Sequence, residues 1–286
     1  MKYKITGLLL GLILTLSSVR AQDSLIRLIV RGDDMGFTHS GNLALVKTFK
    51  EGIERSVEVI VPSPWFPEAV ALLKQNPGID IGIHLALSSE WATVKWRPLT
   101  YCPSLVDSNG YFFPMIFPNK DYPGNALREN AWKLDEIERE LRSQIEMGLR
   151  NLPSITHVST HMGCGDLDPQ VNALVKKLAK QYNIDIDPQE TGVENIGYEG
   201  PSVTFNEKLN SFLKAIESLQ KGKTYLFIDH PALDDPEIRA VYHTGYENVA
   251  DDRQAITDVW TNPLVIDALK KKNVRLINYA DLKKKS

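Results

Sequence analysis

The chain predicts an α/β fold, a deformed (β/α) barrel of about seven parallel strands, and three observations predict it. Short apolar runs alternate with amphipathic stretches along the chain, and such alternation implies parallel strands joined by right-handed crossovers. Seven strands in about 250 residues suit a closed or slightly deformed barrel better than an open sheet. Titratable residues gather at the C-terminal ends of the runs, the edge where barrels and open α/β sheets bind their ligands.

In chain order, Ile26-Arg27-Leu28-Ile29-Val30-Arg31 is an apolar, β-branched run that reads as a buried strand over 26–31. It stops at Gly32-Asp33-Asp34-Met35-Gly36, and a helix over 39–51 follows, beginning near Thr38. Strands are predicted at 56–61, 79–85, 155–160, 183–187, 224–229 and 274–277. Helical patterns fill the intervals at 66–76, 132–150, 168–182, 206–220 and 252–271. The period is clearest in 132–150, where Leu134, Ile137, Leu141 and Ile145 combine with Glu136, Arg139 and Glu140.

The amino terminus predicts the compartment. Lys2 and Lys4 precede an apolar run from Ile5 to Leu16, and Val19-Arg20-Ala21 supplies small residues at cleavage spacing. Residues 1–21 therefore read as a secretory signal peptide, and 22–286 as one exported domain, periplasmic or extracellular. The apolar run is too short to favour a spanning helix, so no membrane insertion is expected after cleavage. The whole chain carries a formal charge of −3, and cleavage would remove three basic residues and no acidic one. That balance argues against nucleic acid or an anionic membrane as partner. No low-complexity linker or repeat divides the domain. Cys102 and Cys164 are the only thiols; an oxidising compartment would permit a bridge, Cys164 sits beside a histidine and could be a ligand, and a buried thiol is the plainer reading.

Polar residues fall on this scaffold with a pattern. Asp33 and Asp34 follow the first strand, His84 ends the third, His157 and His161 belong to the fourth, and His230 ends the sixth. Helix capping is the plain use of an Asp at such a place. Two adjacent carboxylates repel unless a cation or a shared proton compensates them, however, and neighbours at a strand end point to different sides. One can then hold a metal while the other acts on substrate. A carboxylate with two histidines and open positions is a metal site of the hydrolytic kind, suited to zinc and, with other geometry, to manganese, iron or cobalt. The ligand set is Asp34, His84 and His161. On an extended strand His157 would lie about 13 Å from His161, too far to share one ion, so His157 takes a supporting role or a place in the barrel interior.

Between strand three and the helix at 132–150, residues 88–130 hold Trp91, Trp96, Tyr101, Tyr111, Phe112, Phe113, Phe117 and Tyr122 among many prolines. Loops this long are commonly functional, and aromatic faces near a cleft suit sugar rings, with Trp91 and Trp96 the candidates for substrate contact. The alternatives are a hydrophobic cap over the barrel mouth or an oligomer contact, such as a homodimer's.

Gly32-Asp33-Asp34-Met35-Gly36, Gly82-Ile83-His84-Leu85-Ala86-Leu87, Arg97-Pro98-Leu99, Pro103-Ser104-Leu105-Val106-Asp107, Gly110-Tyr111-Phe112, His157-x-x-x-His161 and His230-Pro231 together resemble the YdjC-like carbohydrate deacetylases. The resemblance covers most of 22–286 in order and implies a deformed β/α barrel. It implies one divalent ion, zinc or magnesium, on Asp34, His84 and His161. It makes Asp33 general base, His230 general acid, and an acetylated oligosaccharide the substrate. Two positions depart from the family's His-x-Asp-x-His-x-His pattern: Ser159 stands where Asp is common and Gly163 where the last His is common. The missing Asp would weaken a metal ligand's outer support. Asp252-Arg253-Gln254 resembles a family Arg-Glu segment, so Arg253 is expected to orient Asp33 or to bind substrate. The expected reaction is metal-assisted hydrolysis of an N-acetyl, or O-acetyl, group on a sugar. The rivals are another metal hydrolase, acting on a phosphoester or a non-sugar amide, and a non-catalytic glycan-binding relative.

Overall fold

A computed structural model of the chain describes residues 25–285; the expected export signal and its expected cleavage point lie outside the described residues. The longest strand, β1 (Ile26–Met35), is the spine of the fold. It leads through α1 (His39–Glu51), β2 (Ser56–Val59), α2 (Phe66–Gln75) and β3 (Asp80–Leu85) into a long connection without α-helix or strand. Then come α3 (Leu134–Asn151), β4 (His157–Thr160), α4 (Pro169–Gln181), β5 (Glu194–Ile196), α5 (Phe205–Ser218) and β6 (Thr224–Asp229). The last elements are α6 (Val249–Trp260), α7 (Pro263–Lys271) and β7 (Val274–Ile277).

All strand pairs are parallel, in the order β4-β3-β2-β1-β6-β5, with β7 beside the first half of β1. The seven strands thus form a half-barrel, the deformed barrel expected. It is open between β4 and β5, where Ser159, Asn195, Ile228 and Tyr279 line a lateral cavity of about 580 Å³. Leu28 and Val30 of β1 pack with Phe212, Ile216, Ile256, Val259 and Trp260 of α5 and α6. Val57, Ile81, Ile83 and Leu85 pack with Ile137, Leu141 and Ile145 of α3. Burying a side chain of this size stabilises by roughly 1.5–3 kcal/mol, so the apolar stripe read in 132–150 is what docks α3.

Three expectations are corrected. The strand expected at 183–187 is not regular; β5 is the three-residue Glu194–Ile196, and Ile184 and Ile186 are buried without a ladder. The helix expected over 252–271 is two helices, because Asn262 accepts the Leu264 N–H at 2.9 Å and Pro263 starts a new first turn, which a continuous helix could not contain. Glu136 and Glu140 do not form a solvated face on α3. Both are buried, where Glu140 accepts from the Leu99 and Thr100 N–H groups at 3.0 and 2.9 Å and Glu136 from the Ser104 N–H at 2.8 Å. These carboxylates anchor the 88–130 connection, whose Trp91, Trp96, Leu105, Phe112, Ile116 and Leu127 belong to the main core. Burial of these side chains in the core is the hydrophobic cap, one of the three uses expected of this segment.

One interior row ties three strands together. Glu58 of β2, Gly82 of β3 and His157 of β4 are register partners. A Cβ at Gly82 would lie 2.4 Å from Glu58 Oε2 and 2.5 Å from His157 Nε2, so only glycine lets these side chains meet across it. Gly82→Ala is expected to lower stability by about 1–3 kcal/mol, read from urea unfolding, as overpacking of a buried site does.

Candidate metal centre

The Asp pair reaches the site through a bulge. The pairing of β1 with β2 shifts register between Gly32 and Met35, and Asp34 has a φ of 68°. In a regular strand the two carboxylates would diverge. Here His84 Nε2 lies 3.7 Å both from Asp33 Oδ2 and from Asp34 Oδ1, so the bulge turns both toward the same imidazole. A left-handed Asp costs on the order of 1 kcal/mol, and such strain concentrates at functional sites. Asn42 of α1 closes the turn, its Oδ1 accepting the Gly36 N–H at 2.7 Å.

His84 leaves the end of β3, and His161 follows β4 at the start of a tight turn in which Met162 has a φ of 50°. Asp34, His84 and His161 each bring a ligand atom within 4.8 Å of the others. Asp34 Oδ1 is buried and receives no hydrogen bond of good geometry; His161 Nδ1 lies 3.2 Å away. A buried carboxylate oxygen left bare costs about 1–3 kcal/mol or more, and a cation shared with two imidazoles satisfies it. One carboxylate and two imidazoles are donors of the kind zinc and similar divalent ions take, so the residues fit the ion that the sequence implied.

The electrostatics agree. Burial pushes His84 below its ordinary value, which leaves a neutral imidazole with a lone pair to give. Burial also opposes charge on His161, but Glu90, whose Oε2 is 2.9 Å from His161 Nε2, and Asp34 outweigh it and lift His161 to about 10. An ion and a proton compete for Nδ1, so acid would weaken binding. Asp34 is raised by burial and lowered more strongly by His230, His161 and Arg253, which hold it well below the carboxylate range.

Two further groups flank this centre. Arg31 clamps Asp33, Nε to Oδ1 at 2.7 Å and Nη2 to Oδ2 at 2.8 Å, in a two-pronged geometry that fixes the orientation of the carboxyl group. His230, at the end of β6, places Nε2 3.9 Å from Asp34 Oδ2. Its backbone N–H donates to Asp229 Oδ1 at 2.9 Å, and Tyr198 donates to Asp229 Oδ2 at 2.8 Å. Burial lowers His230, yet Asp34 and Asp229 more than compensate and its value is raised. Beneath the centre, Glu58 is raised by burial and lowered further by His157 and Arg31, down to about 2. Its ionised form stabilises the fold above pH about 4.5 and that contribution is lost as pH falls towards 2, a loss of roughly 3 kcal/mol. Glu58→Gln should remove that part of the acid dependence of urea unfolding.

Asp33, Asp34, His84, His161 and His230 therefore lie together in one cluster. His157 is buried in the interior with its Nε2 2.6 Å from Glu58 Oε1 and its ring stacked 3.6 Å from Tyr279. Arg253, expected beside Asp33, instead donates to Asp34 Oδ2 at 3.0 Å; Asp33 is already filled by Arg31. Trp91 and Trp96, expected to show open faces, are each 2 % exposed. Trp91 and Phe37 cradle the Arg253 guanidinium, 5.1 and 4.8 Å from its carbon, and Trp96 packs 5.9 Å from the His161 ring. Met162, the residue after His161, is exposed. Cys102 and Cys164 are separate buried thiols, and Cys164 donates to Leu85 O at 3.1 Å rather than facing the centre. Sequence reasoning missed Arg31, Glu58, Glu90 and Asp229; for Arg31, Glu58 and Asp229 the signal available was a charged residue inside or at the end of an apolar run.

The model of the family described as YdjC-like protein matches residues 27–271. The "Carbohydrate deacetylase" of Clostridium beijerinckii is 29 % identical over 90 % of this chain and 100 % of that protein. The Geobacillus stearothermophilus protein of the same name is 27 % identical over 90 % of this chain and 98 % of its own length. "Carbohydrate deacetylase 1" of Listeria innocua is 32 % identical, but over only 56 % of this chain and 60 % of that protein. A crystal structure from Enterococcus faecalis V583, of a protein named for a proposed cellobiose-phosphate cleavage activity, superposes with a TM-score of 0.70 at 20 % identity, covering 91 % of this chain and 99 % of that one, and shares the fold. With the family model spanning all seven strands but the last, the chain belongs to the YdjC-like family.

Proposed function

We propose that the chain is an exported, metal-dependent carbohydrate deacetylase that hydrolyses the N-acetyl, or O-acetyl, group of an oligosaccharide. The observation that carries this is the bare Asp34 Oδ1 facing two imidazole nitrogens, with a clamped carboxylate on one side and a supported histidine on the other. The relatives' names and the amino-terminal sequence support the substrate class and the export. Among the described residues no helix is long and apolar enough to cross a membrane.

Asp34, His84 and His161 would hold one divalent ion, which supplies polarisation of the acetyl carbonyl and a more acidic water. Asp33, held in place by Arg31, takes the proton of the attacking water. His230, made more basic by Asp34 and Asp229, gives a proton to the departing nitrogen or oxygen. Tyr198 fixes Asp229, and Asp229 in turn fixes the His230 backbone. Arg253 holds Asp34 from the side away from His161, so that Oδ1 stays turned inward. Met162, next to His161, is an exposed apolar surface available to a sugar ring.

A panel of acetylated oligosaccharides, followed by mass spectrometry for loss of one acetyl group, tests the reading. Deacetylation supports it. Turnover only of phosphoesters or non-sugar amides would move the chain to a different metal hydrolase, and binding without turnover would make it a glycan-binding relative.

A further inference from the structure

His84 and His161 each turn one ring nitrogen to the centre and the other away from it, and the outward nitrogens are treated differently. His161 Nε2 meets the carboxylate of Glu90 directly, at 2.9 Å. His84 Nδ1 meets a hydroxyl, Ser159 Oγ, at 2.6 Å, and that hydroxyl lies 2.5 Å from Glu58 Oε2. We propose that Ser159 and Glu58 form a two-step relay that fixes the His84 ring with Nε2 presented to the metal, so that Ser159 is a positioning residue for metal binding. The proposal rests on the reading of Asp34, His84 and His161 as the ligands.

The direction of the relay is set by its far end. Glu58 is ionised, so both its oxygens only accept. Ser159 has one proton and must give it to Glu58, which leaves its oxygen to accept from His84. His84 Nδ1 then carries the ring proton, and Nε2, 3.7 Å from Asp34 Oδ1, keeps its lone pair for an ion. Without the hydroxyl the ring could turn over or take the other tautomer, and either would withdraw the lone pair. The strands set the distances: His84 and Ser159 are register partners across β3 and β4, and Glu58 reaches Ser159 because Gly82 leaves the space between them open. Glu58 is itself pinned, Oε1 to His157 Nε2 at 2.6 Å, with Arg31 Nε at 3.8 Å. A carboxylate at position 159 would stand at hydrogen-bonding distance from Glu58, two buried anions with no proton between them. A hydroxyl transmits the charge of Glu58 without adding another.

The test is titration of metal-free protein with zinc and with cobalt(II), read by calorimetry and by cobalt absorption. Ser159→Ala is expected to bind both ions about 10–100-fold more weakly, as loss of a ligand's outer partner does. The metal-free variant should stay folded, with a thermal midpoint lowered by at most about 10 °C, since Glu58 Oε2 loses its donor, and it can still be titrated. Ser159→Thr keeps the hydroxyl, has the cavity for its methyl, and should restore affinity. Equal affinity of Ser159→Ala and the unaltered protein overturns the relay alone. Equal loss in Ser159→Ala and Ser159→Thr also overturns it, since the hydroxyl would then not be the cause. Absence of binding by the unaltered protein overturns the relay together with the metal centre.

Discussion

Asp34→Asn is expected to leave a folded protein that holds no stoichiometric divalent ion and releases acetate at least about 10³-fold more slowly, several kcal/mol of lost transition-state stabilisation. The amide keeps an oxygen for Arg253, whose guanidinium is buried and would otherwise lose its one hydrogen-bond partner. It removes the charge that draws an ion between His84 and His161. Alanine at the same place would leave Arg253 buried and unpaired, at a cost of about 3–5 kcal/mol, and would confuse unfolding with loss of the ion. Metal analysis of the purified variant beside its acetate release separates the two. Full metal content in Asp34→Asn would show that the orphaned Oδ1 is not a ligand.

Asp33→Asn should behave differently despite being the adjacent residue. Its carboxylate is occupied by Arg31 at both oxygens, so the ion should remain while kcat falls about 10²–10⁴-fold, the range of a lost general base. KM should change little, because the water's proton and not the sugar is what Asp33 handles. Turnover near that of the unaltered enzyme would remove Asp33 from the base role and point to another proton acceptor in the cluster.

Much of the centre was legible because its residues end apolar runs. His84 after Gly82-Ile83, His230 after Phe227-Ile228-Asp229 and the Asp pair after Val30-Arg31-Gly32 need only a parallel sheet to be brought to one edge. The convergence of Asp33 with Asp34 was not legible: it depends on a left-handed residue at a register shift, which strand alternation does not foretell. Glu58 was hidden in Ser56-Val57-Glu58-Val59, where alternation reads a Glu as solvent-facing although this sheet curls its second face into an interior. Ile184-Asp185-Ile186-Asp187 alternates as a strand should and yet makes no ladder, while the true β5 is too short to show a period. Aromatic content could not tell a sugar platform from a lid: Trp91 and Trp96 pack beneath Arg253 and beside His161. Ser159, a departure from the resembled motif, is accounted for by a partner on a strand far away in sequence.

The central claim is that one divalent ion on Asp34, His84 and His161 is required for deacetylation. The most direct measurement is acetate release by metal-stripped protein as zinc, magnesium, manganese or cobalt is titrated back. The account predicts no release from the stripped protein and recovery that saturates at about one ion per chain. Full activity in the stripped protein, or recovery unchanged by Asp34→Asn, would contradict it.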